Sequence, residues 1–416
     1  MICGLLFGID FRQTLTYQVA CLGFALLLSA LILSAFWRPK LSVTRILPER
    51  VTSGMPMRYF IEITNHGRRA ERDLVLRDEV KRPRISYDRF QHLRAGSRKT
   101  NWFDRTVGFP RWVELMRQRR GIELEMTPVP PVPAGGRVRV AVEATPTRRG
   151  WINFDSTRIF RPDPLALFHA QTLKHGPASL LSLPVRYSAP PIPLHSERHY
   201  QKGGLSLAHA VGDSQEFASL RDYRPGDPRR HIHWRSFART GRLIVKEYQD
   251  EYFDRHALVL DTYLGDSDHA VFESMVSVAA SIAAGERPRD SILDVIFVGT
   301  EIVQLTTGRG LGDAANALDY LAEAQPAASA GFEQLATLLR ERAALLASLI
   351  IICAQRNEER LELIDRLAAQ GIPCISIFLI DENAALTGPE QRGAHTSFEL
   401  RHNHIGEDLA QIGLAT

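Results

Sequence analysis

An uncharged apolar segment near the N-terminus constrains this chain more than any other feature. It runs from Tyr17 to Trp37, YQVACLGFALLLSALILSAFW, and contains no Asp, Glu, Lys or Arg. A helix needs about 20 apolar residues to cross the hydrocarbon core of a bilayer. Tyr17 and Trp37 stand at its two ends, where aromatic side chains collect at membrane interfaces. The segment therefore predicts a membrane anchor over residues 1–37, with one clear transmembrane helix over 17–37.

A cleaved signal peptide is the alternative interpretation, and it fits less well. The apolar run exceeds the roughly 7–15 residues of a signal-peptide core, and charges follow it instead of a small-residue cleavage site. Only Arg12, offset by Asp10, precedes the segment, whereas four basic residues follow it: Arg38, Lys40, Arg45 and Arg50. The positive-inside rule then places the large C-terminal part in the cytoplasm, below the inner membrane.

The rest of the chain is an ordinary globular sequence. Its 416 residues exceed what one core usually holds, so two or three domains follow the anchor. The 51 basic residues nearly balance the 47 acidic ones, which gives no argument from charge alone for nucleic-acid binding. The four cysteines include no CxxC pair, so we expect no disulfide framework.

Two kinds of periodicity divide the soluble part. Residues 38–190 contain short segments that alternate apolar and polar residues, with Gly-containing turns between them, and so predict a β-sandwich of immunoglobulin-like architecture. Residues 98–120 interrupt this rhythm with an Arg- and Trp-rich insert. Residues 251–416 alternate apolar strands with amphipathic helices, which predicts a doubly wound, mostly parallel sheet covered on both faces. The chain is thus a multidomain protein, α/β plus all-β.

Residues 191–250 hold the most informative segment, Gly212 to Lys246. Asp227 before Pro228 predicts a helix start, with the carboxylate as N-cap, and Gly241 predicts its end. On such a helix Trp234 packs inward, while a cationic stripe that includes Arg235 and Arg239 points outward.

Three interpretations of this stripe stay open. The arginines can grip an acidic protein surface or a phosphate, since the guanidinium fork suits both. They can instead pair with acidic residues of the segment and fix the fold, as most ion pairs do; these residues are Glu216, Asp222, Asp227 and Glu247. The weakest interpretation takes Asp227, His231 and His233 as metal ligands, because histidines two apart point to different faces of a helix.

The ordered pattern EF…LRDYRPGD…R.I.W…AR…L.VKE resembles the MoxR-associated proteins grouped as the family of unknown function number fifty-eight. A second block, RRGWINFDSTRIFRPDPLALF, agrees with it. The residues that carry the first pattern and mark a partner-binding surface are Glu216, Phe217, Arg221, Tyr223, Gly226, Asp227, Arg230, Trp234, Arg235, Arg239 and Lys246.

The resemblance implies a fold order and a kind of partner. Family members combine a membrane anchor, a β-sandwich, this fingerprint and a von Willebrand factor A-like α/β domain, and they look like partners of MoxR-type AAA+ ATPases in the assembly or maturation of other proteins. No enzymatic activity and no cofactor come with the resemblance. Members usually begin with two membrane helices, whereas this chain shows one complete helix.

A von Willebrand A-like domain can bind Mg²⁺ through D-x-S-x-S after its first strand. Here that strand ends in Asp261-Thr262-Tyr263-Leu264-Gly265, so Tyr263 and Gly265 replace the two serines. Hard cations need several oxygen ligands, and Thr306 or Thr307 is poorly spaced to supply one. We therefore predict a degraded motif without metal, in which Asp261 caps a helix or binds backbone amides.

These observations favour a non-enzymatic, membrane-anchored scaffold or adaptor that works with a MoxR-type AAA+ ATPase. One alternative is a metal-dependent hydrolase that uses Asp227, His231 and His233, although the chain contains no G-x-S-x-G, H-E-x-x-H or P-loop motif. Another is a binder of anionic lipid or nucleic acid that uses the arginines of the fingerprint and of residues 98–120.

Overall fold

The computed structural model of the chain describes residues 14–81, 120–164, 166–189, 216–227, 229–249, 254–264, 269–285, 291–298, 302–308, 314–327, 332–382, 384 and 386–415. Nearly all of the predicted Arg- and Trp-rich insert, residues 190–215 and Pro228 lie outside these residues. The chain divides into two compact units, Met1–Val185 and Arg186–Thr416.

The predicted membrane helix is present as α1, Thr14–Ala35. Within it, Gln18–Ala35 has a mean hydropathy of 2.1 and is long and apolar enough to cross a membrane. The helix ends before Trp37, because the residue preceding Pro39 disfavours helical backbone. Trp37, which we expected at the membrane interface, packs against the hydrophobic core of the first unit, and its indole N–H donates to Glu71 Oε2 at 3.1 Å.

The first unit contains two sheets that share one hydrophobic core. Their strands are β1 (Leu41–Ile46), β2 (Arg50–Thr52), β3 (Met57–Asn65), β4 (Leu74–Val80), β5 (Ile122–Leu124), β6 (Thr127–Val129), β7 (Arg137–Pro146), β8 (Gly150–Pro162) and β9 (His169–Leu183). One sheet has the order β1-β3-β7-β5 and the other β2-β9-β8-β4-β6. Alternate residues of both sheets are buried against each other, as the period of two predicts.

A buried ion pair joins the two sheets of this unit. Arg45 from β1 binds Asp78 from β4 at 2.6 Å, with side chains that are 3% and 0% exposed. The hydroxyls of Tyr59 and Thr157 also donate to Asp78. Arg45 therefore belongs to the core. It does not count among the exposed basic residues after the membrane helix from which we predicted the orientation.

The second unit is built on a seven-stranded sheet. Its strands are β12 (Asp254–Leu260), β13 (Ser291–Val298), β14 (Ile302–Thr307), β15 (Ser348–Cys353), β16 (Cys374–Ile380), β17 (Glu390–Arg392) and β18 (His395–Arg401). They lie in the order β14-β13-β12-β15-β16-β18-β17. The five central strands are parallel, and β14 and β17 pair antiparallel at the two edges.

Helices cover both faces of this sheet. They are α3 (His269–Ala284), α4 (Ala314–Glu323), α5 (Phe332–Arg342), α6 (Glu358–Ala369) and α7 (Ile405–Ala415). Helices α5 and α6 share a core with alternate residues of β12 and β15. Helix α3 contacts β12, β15 and β16 as well as α4 and α7, and it packs on the opposite face. The full burial of the central strands matches the continuous apolar runs in the sequence.

Candidate functional site

The fingerprint segment forms a small unit around a hairpin. Strands β10 (Glu216–Asp222) and β11 (Ile244–Gln249) pair antiparallel, and a 3-10 turn over Arg229–His231 and the helix α2 (Trp234–Thr240) lie between them in sequence. On the other edge of β11, Ile232 bridges to Val245, and the N–H of His233 donates to the carbonyl of Ile244 at 2.8 Å.

The predicted single helix from Asp227 to Gly241 is wrong, because Ile232 and His233 pair with β11 and interrupt it. Helix α2 ends at Gly241, as predicted, in a left-handed conformation with φ of 69°. The inward orientation predicted for Trp234 is also wrong. Ile232 and Val245 fill the interior, at 8% and 2% exposed, and Trp234 is 60% exposed.

Asp227 organises the turn before this helix but does not cap it. Its carboxylate accepts two hydrogen bonds of 2.8 Å from the guanidinium of Arg221 and one of 2.8 Å from the N–H of Arg224. The hydrogen bonds from Arg221, followed by that from Arg224, lower the pKa of Asp227 to about 2. The predicted N-cap role is therefore wrong, because the carboxylate points back to the preceding turn.

Five arginines lie within fourteen residues of the segment, and together we call them the arginine patch: Arg229, Arg230, Arg235, Arg239 and Arg242. All five are exposed, and residues 229–242 contain no Asp or Glu. Asp227, one of the acids expected to neutralise them, is bound to Arg221 instead. In the part of the chain that the structure describes, no acidic side chain forms an ion pair with the patch. The side chains of Glu216 and Glu247 lie outside that part.

The residues proposed for a hydrolase do not form a metal site. The ring of His233 bonds Ser236 Oγ at 2.6 Å, and Arg230 Nε donates to His231 Nε2 at 3.2 Å. No group of three or more His, Cys, Asp or Glu residues able to hold a metal ion occurs among the described residues.

The second candidate site lies where β12 and β15 end side by side. The strand order reverses at β12, since β13 and β14 lie on one side of it and the later strands on the other. In open α/β sheets, such a switch point at the carboxyl ends of the strands is the usual place for a ligand. Asp261 follows β12 there and is fully buried.

A side chain of the protein itself occupies this position. Arg360, from the first turn of α6, donates through Nε to Asp261 Oδ2 at 2.5 Å and through Nη2 to the carbonyl of Tyr263 at 2.9 Å. Its guanidinium also lies 4.9 Å from the ring centroid of Phe332. As expected, the Asp261 carboxylate binds a backbone amide, that of Tyr263, at 3.0 Å. Nothing in the local sequence indicates Arg360, which lies 99 residues from Asp261 in the chain.

The other proposed oxygen ligands have partners elsewhere. Thr306 Oγ1 donates to Asp294 Oδ1 at 2.7 Å, and Thr307 Oγ1 donates to the carbonyl of Leu293 at 3.3 Å. Burial raises the pKa of the Asp261 carboxyl, and the Arg360 guanidinium opposes this rise. Arg360 thus supplies the positive charge that a cation would provide at this position.

A third cluster joins Ser376, His395 and Asp365 in the order of a Ser-His-Asp relay. His395 contacts Ser376 Oγ through Nε2 at 2.8 Å and Asp365 Oδ1 through Nδ1 at 3.1 Å. Ser376 lies within β16 and is 0% exposed, so no substrate can reach it in this structure. Burial lowers the pKa of His395, against the effect of Asp365. The cluster ties α6, β16 and β18 together, and no local motif in the sequence indicates it.

Three solved structures illustrate the likeness of this chain to known folds. The CARDB domain of PF1109 from Pyrococcus furiosus is 12% identical, over 33% of this chain and 94% of that one, with a TM-score of 0.16. A superoxide reductase from Ignicoccus hospitalis is 9% identical over 34% and 79%, with a TM-score of 0.15. AvmM, described as catalysing macrocyclization in alchivemycin A biosynthesis, is 13% identical over 35% and 92%, with a TM-score of 0.18. At these TM-scores the likenesses carry no argument.

The sequence comparisons are more informative. The uncharacterized protein YeaD of Bacillus subtilis is 32% identical over 138 residues, which are 32% of this chain and 32% of YeaD, so the chain spans about a third of that relative. The match to the family of unknown function number fifty-eight covers a defined region, which includes the arginine patch, Asp261 and Arg360. Residues 219–384 match the family described as "Protein of unknown function DUF58".

Proposed function

We propose that the protein is a membrane-anchored, non-enzymatic adaptor whose second unit docks a partner protein through the fingerprint segment. The arginine patch carries this proposal, because five exposed arginines face solvent without an acidic partner among the described residues. A concentrated charge that the fold leaves open favours binding to a negatively charged surface.

The architecture supports an adaptor more than an enzyme. The switch point of the sheet, where many α/β enzymes hold a ligand, is filled by Arg360, and Ser376 of the relay-like cluster is buried. In this proposal the second unit is a von Willebrand A-like domain without its metal, and the first unit is an immunoglobulin-like sandwich. Helix α1 holds both at the inner membrane, with the two units on the cytoplasmic side.

The partner in this proposal is a MoxR-type AAA+ ATPase that acts in the assembly or maturation of other proteins. This part rests on the family resemblance of the fingerprint. A test is to isolate the full chain in detergent from its own cells, with and without ATP, and to identify co-purifying proteins by mass spectrometry. Enrichment of an AAA+ ATPase over an anchor-only fragment of residues 1–37 supports the proposal. Its absence under both conditions removes the ATPase from it.

The same charge favours one competing function, the binding of anionic lipid or nucleic acid. Such binding is mainly electrostatic, so its affinity falls steeply as the salt concentration rises. Titration of the full chain in nanodiscs with a single-stranded oligonucleotide, and with phosphatidylglycerol vesicles, at low and high salt measures this alternative directly. Saturable micromolar binding at physiological salt would favour it over protein docking.

A further inference from the structure

Two aromatic side chains stand exposed beside the arginine patch. Trp234 and Phe237 are one helical turn apart on α2, and they are 60% and 38% exposed. Their rings meet edge to face, with centroids 6.1 Å apart and an interplanar angle of 90°. Residues three apart lie on the same side of a helix. An exposed Trp adjacent to an exposed Phe is an apolar surface that water solvates poorly.

The backbone holds this aromatic pair in a fixed position. The N–H of His233 binds β11, and the ring of His233 bonds Ser236 in the first turn of α2. At the other end, the N–H of Gly241 donates to the carbonyl of Phe237 at 2.9 Å. Binding therefore costs little conformational entropy for ordering this short helix, because its backbone is already fixed. Preorganisation of this kind strengthens binding.

Charge determines what can cover the pair. Arg235 and Arg239, one turn apart, lie on the same short helix as the two rings, and residues 229–242 contain no lysine. Arginine and tryptophan dominate the binding energy of protein interfaces, whose centres are poor in lysine. Membrane-surface segments use lysine and arginine alike, and they present a wider apolar face than one turn of a seven-residue helix provides.

We infer that Trp234 and Phe237 are the anchors of the docking surface, and that their partner is a protein with an apolar pocket bordered by Asp and Glu side chains. This inference rests on the proposed docking through the fingerprint and states its chemistry. The two rings enter the pocket, and the guanidinium groups of the arginine patch pair with the carboxylates at its rim. The aromatic pair provides affinity, while the arginines provide orientation and the rate of association.

The experiment places a photo-crosslinking amino acid at position 234 of the full chain, in its own membranes. Position 320 is the matched control, because Tyr320 is 48% exposed on α4 of the same unit. We expect one crosslinked protein from position 234, none from position 320, and loss of the crosslink when Arg235→Glu and Arg239→Glu are also present. Mass spectrometry then identifies the captured protein.

The captured protein is purified, and its affinity for the full chain in nanodiscs is measured. We expect Trp234→Ala to weaken binding at least tenfold and Tyr320→Ala to leave it unchanged, with equal melting temperatures. Crosslinking to lipid alone, to nucleic acid alone or to nothing overturns the inference, as does an unchanged affinity of Trp234→Ala. A captured protein that is not an AAA+ ATPase, but meets these criteria, keeps the inference and rejects the ATPase of the proposed function.

Discussion

The arginine patch and the arginine of the switch point differ in exposure and in the partners that bind them. Arg360 is 7% exposed at its side chain and is bound by a carboxylate, a backbone carbonyl and an aromatic ring. Arg235 and Arg239 are exposed on a short helix, and no described acid neutralises them. A buried charge is stable only when its partners are complete. Exposed arginines without an acidic partner can instead bind a negatively charged molecule.

The two kinds of arginine differ in the property that their loss should affect. Arg360 neutralises Asp261 inside the second unit. Its loss should therefore lower the stability of that unit. The arginine patch contributes little to the stability of its own segment, which is held by the Ile232 and Val245 contact and by the pairing of β10 with β11. Its loss therefore affects binding.

The largest effect that we predict follows removal of Arg360. Arg360→Met leaves Asp261 buried without its main partner, which costs about 3–5 kcal/mol. Hydrogen exchange of the β12 and β15 amides in the full chain measures this cost in the second unit alone. The double variant Asp261→Asn with Arg360→Met removes both charges, and we expect much of the protection to return. A double variant no better protected than Arg360→Met contradicts the account of the pair.

A smaller effect concerns pH and His395. Burial lowers the pKa of its imidazole below the 6.5 of an exposed histidine. The unfolded chain therefore takes up the proton first as the pH falls. Stability from this group is complete above about pH 6.5 and is lost as the pH falls toward the lower pKa of the folded state, at most by about 1.4 kcal/mol per pH unit for one proton.

Melting curves of the full chain between pH 7.5 and 5 check this dependence, and His395→Gln should flatten it. The charged groups that act on the pKa of the ring are Asp365, which raises it, and Arg392 and Arg356, which lower it. The control is His269→Gln, which removes an imidazole that is 63% exposed. An equal slope in His395→Gln and the wild type would show that another group controls the pH response.

The smallest expected effect is that of divalent metal. Because Arg360 occupies the position beside Asp261, we predict no binding of Mg²⁺ or Mn²⁺ at micromolar concentration. Calorimetric titration of the full chain measures this binding. Micromolar affinity that is lost in Asp261→Ala would mean that the carboxylate exchanges its guanidinium partner for a metal ion, and the switch point would then be a metal site.

Sequence periodicity predicted much of the fold. The uncharged run gave α1, and the apolar runs gave β12, β15 and β16, because these strands are buried on both faces. Strand β18 is not marked by such an apolar run. In β18, exposed and buried residues mix, and its place in the sheet depends on pairing with β16 and β17, which are distant contacts that a local pattern does not contain.

The candidate sites divide in the same way. Asp261 was found because it directly follows a buried strand. Its partner Arg360 was not, since only the packing of α6 against the sheet brings the two together. The fingerprint residues were found by their order, but Trp234 was placed inside. The spacing of the apolar residues favours one continuous helix, whereas the bridge between Ile232 and Val245 divides it and supplies the buried residues.

The measurement that tests the account most directly compares two charge reversals in the full chain. One is Arg235→Glu with Arg239→Glu in the arginine patch, and the other is Arg340→Glu with Arg366→Glu, two exposed arginines that already pair with Glu333 and Glu362. Binding of the purified MoxR-type ATPase is measured for both, together with melting temperature. We predict at least a tenfold loss of affinity, about 1.4 kcal/mol, for the patch variant alone, with its stability unchanged. Equal affinity of the patch variant and the wild type would contradict the account.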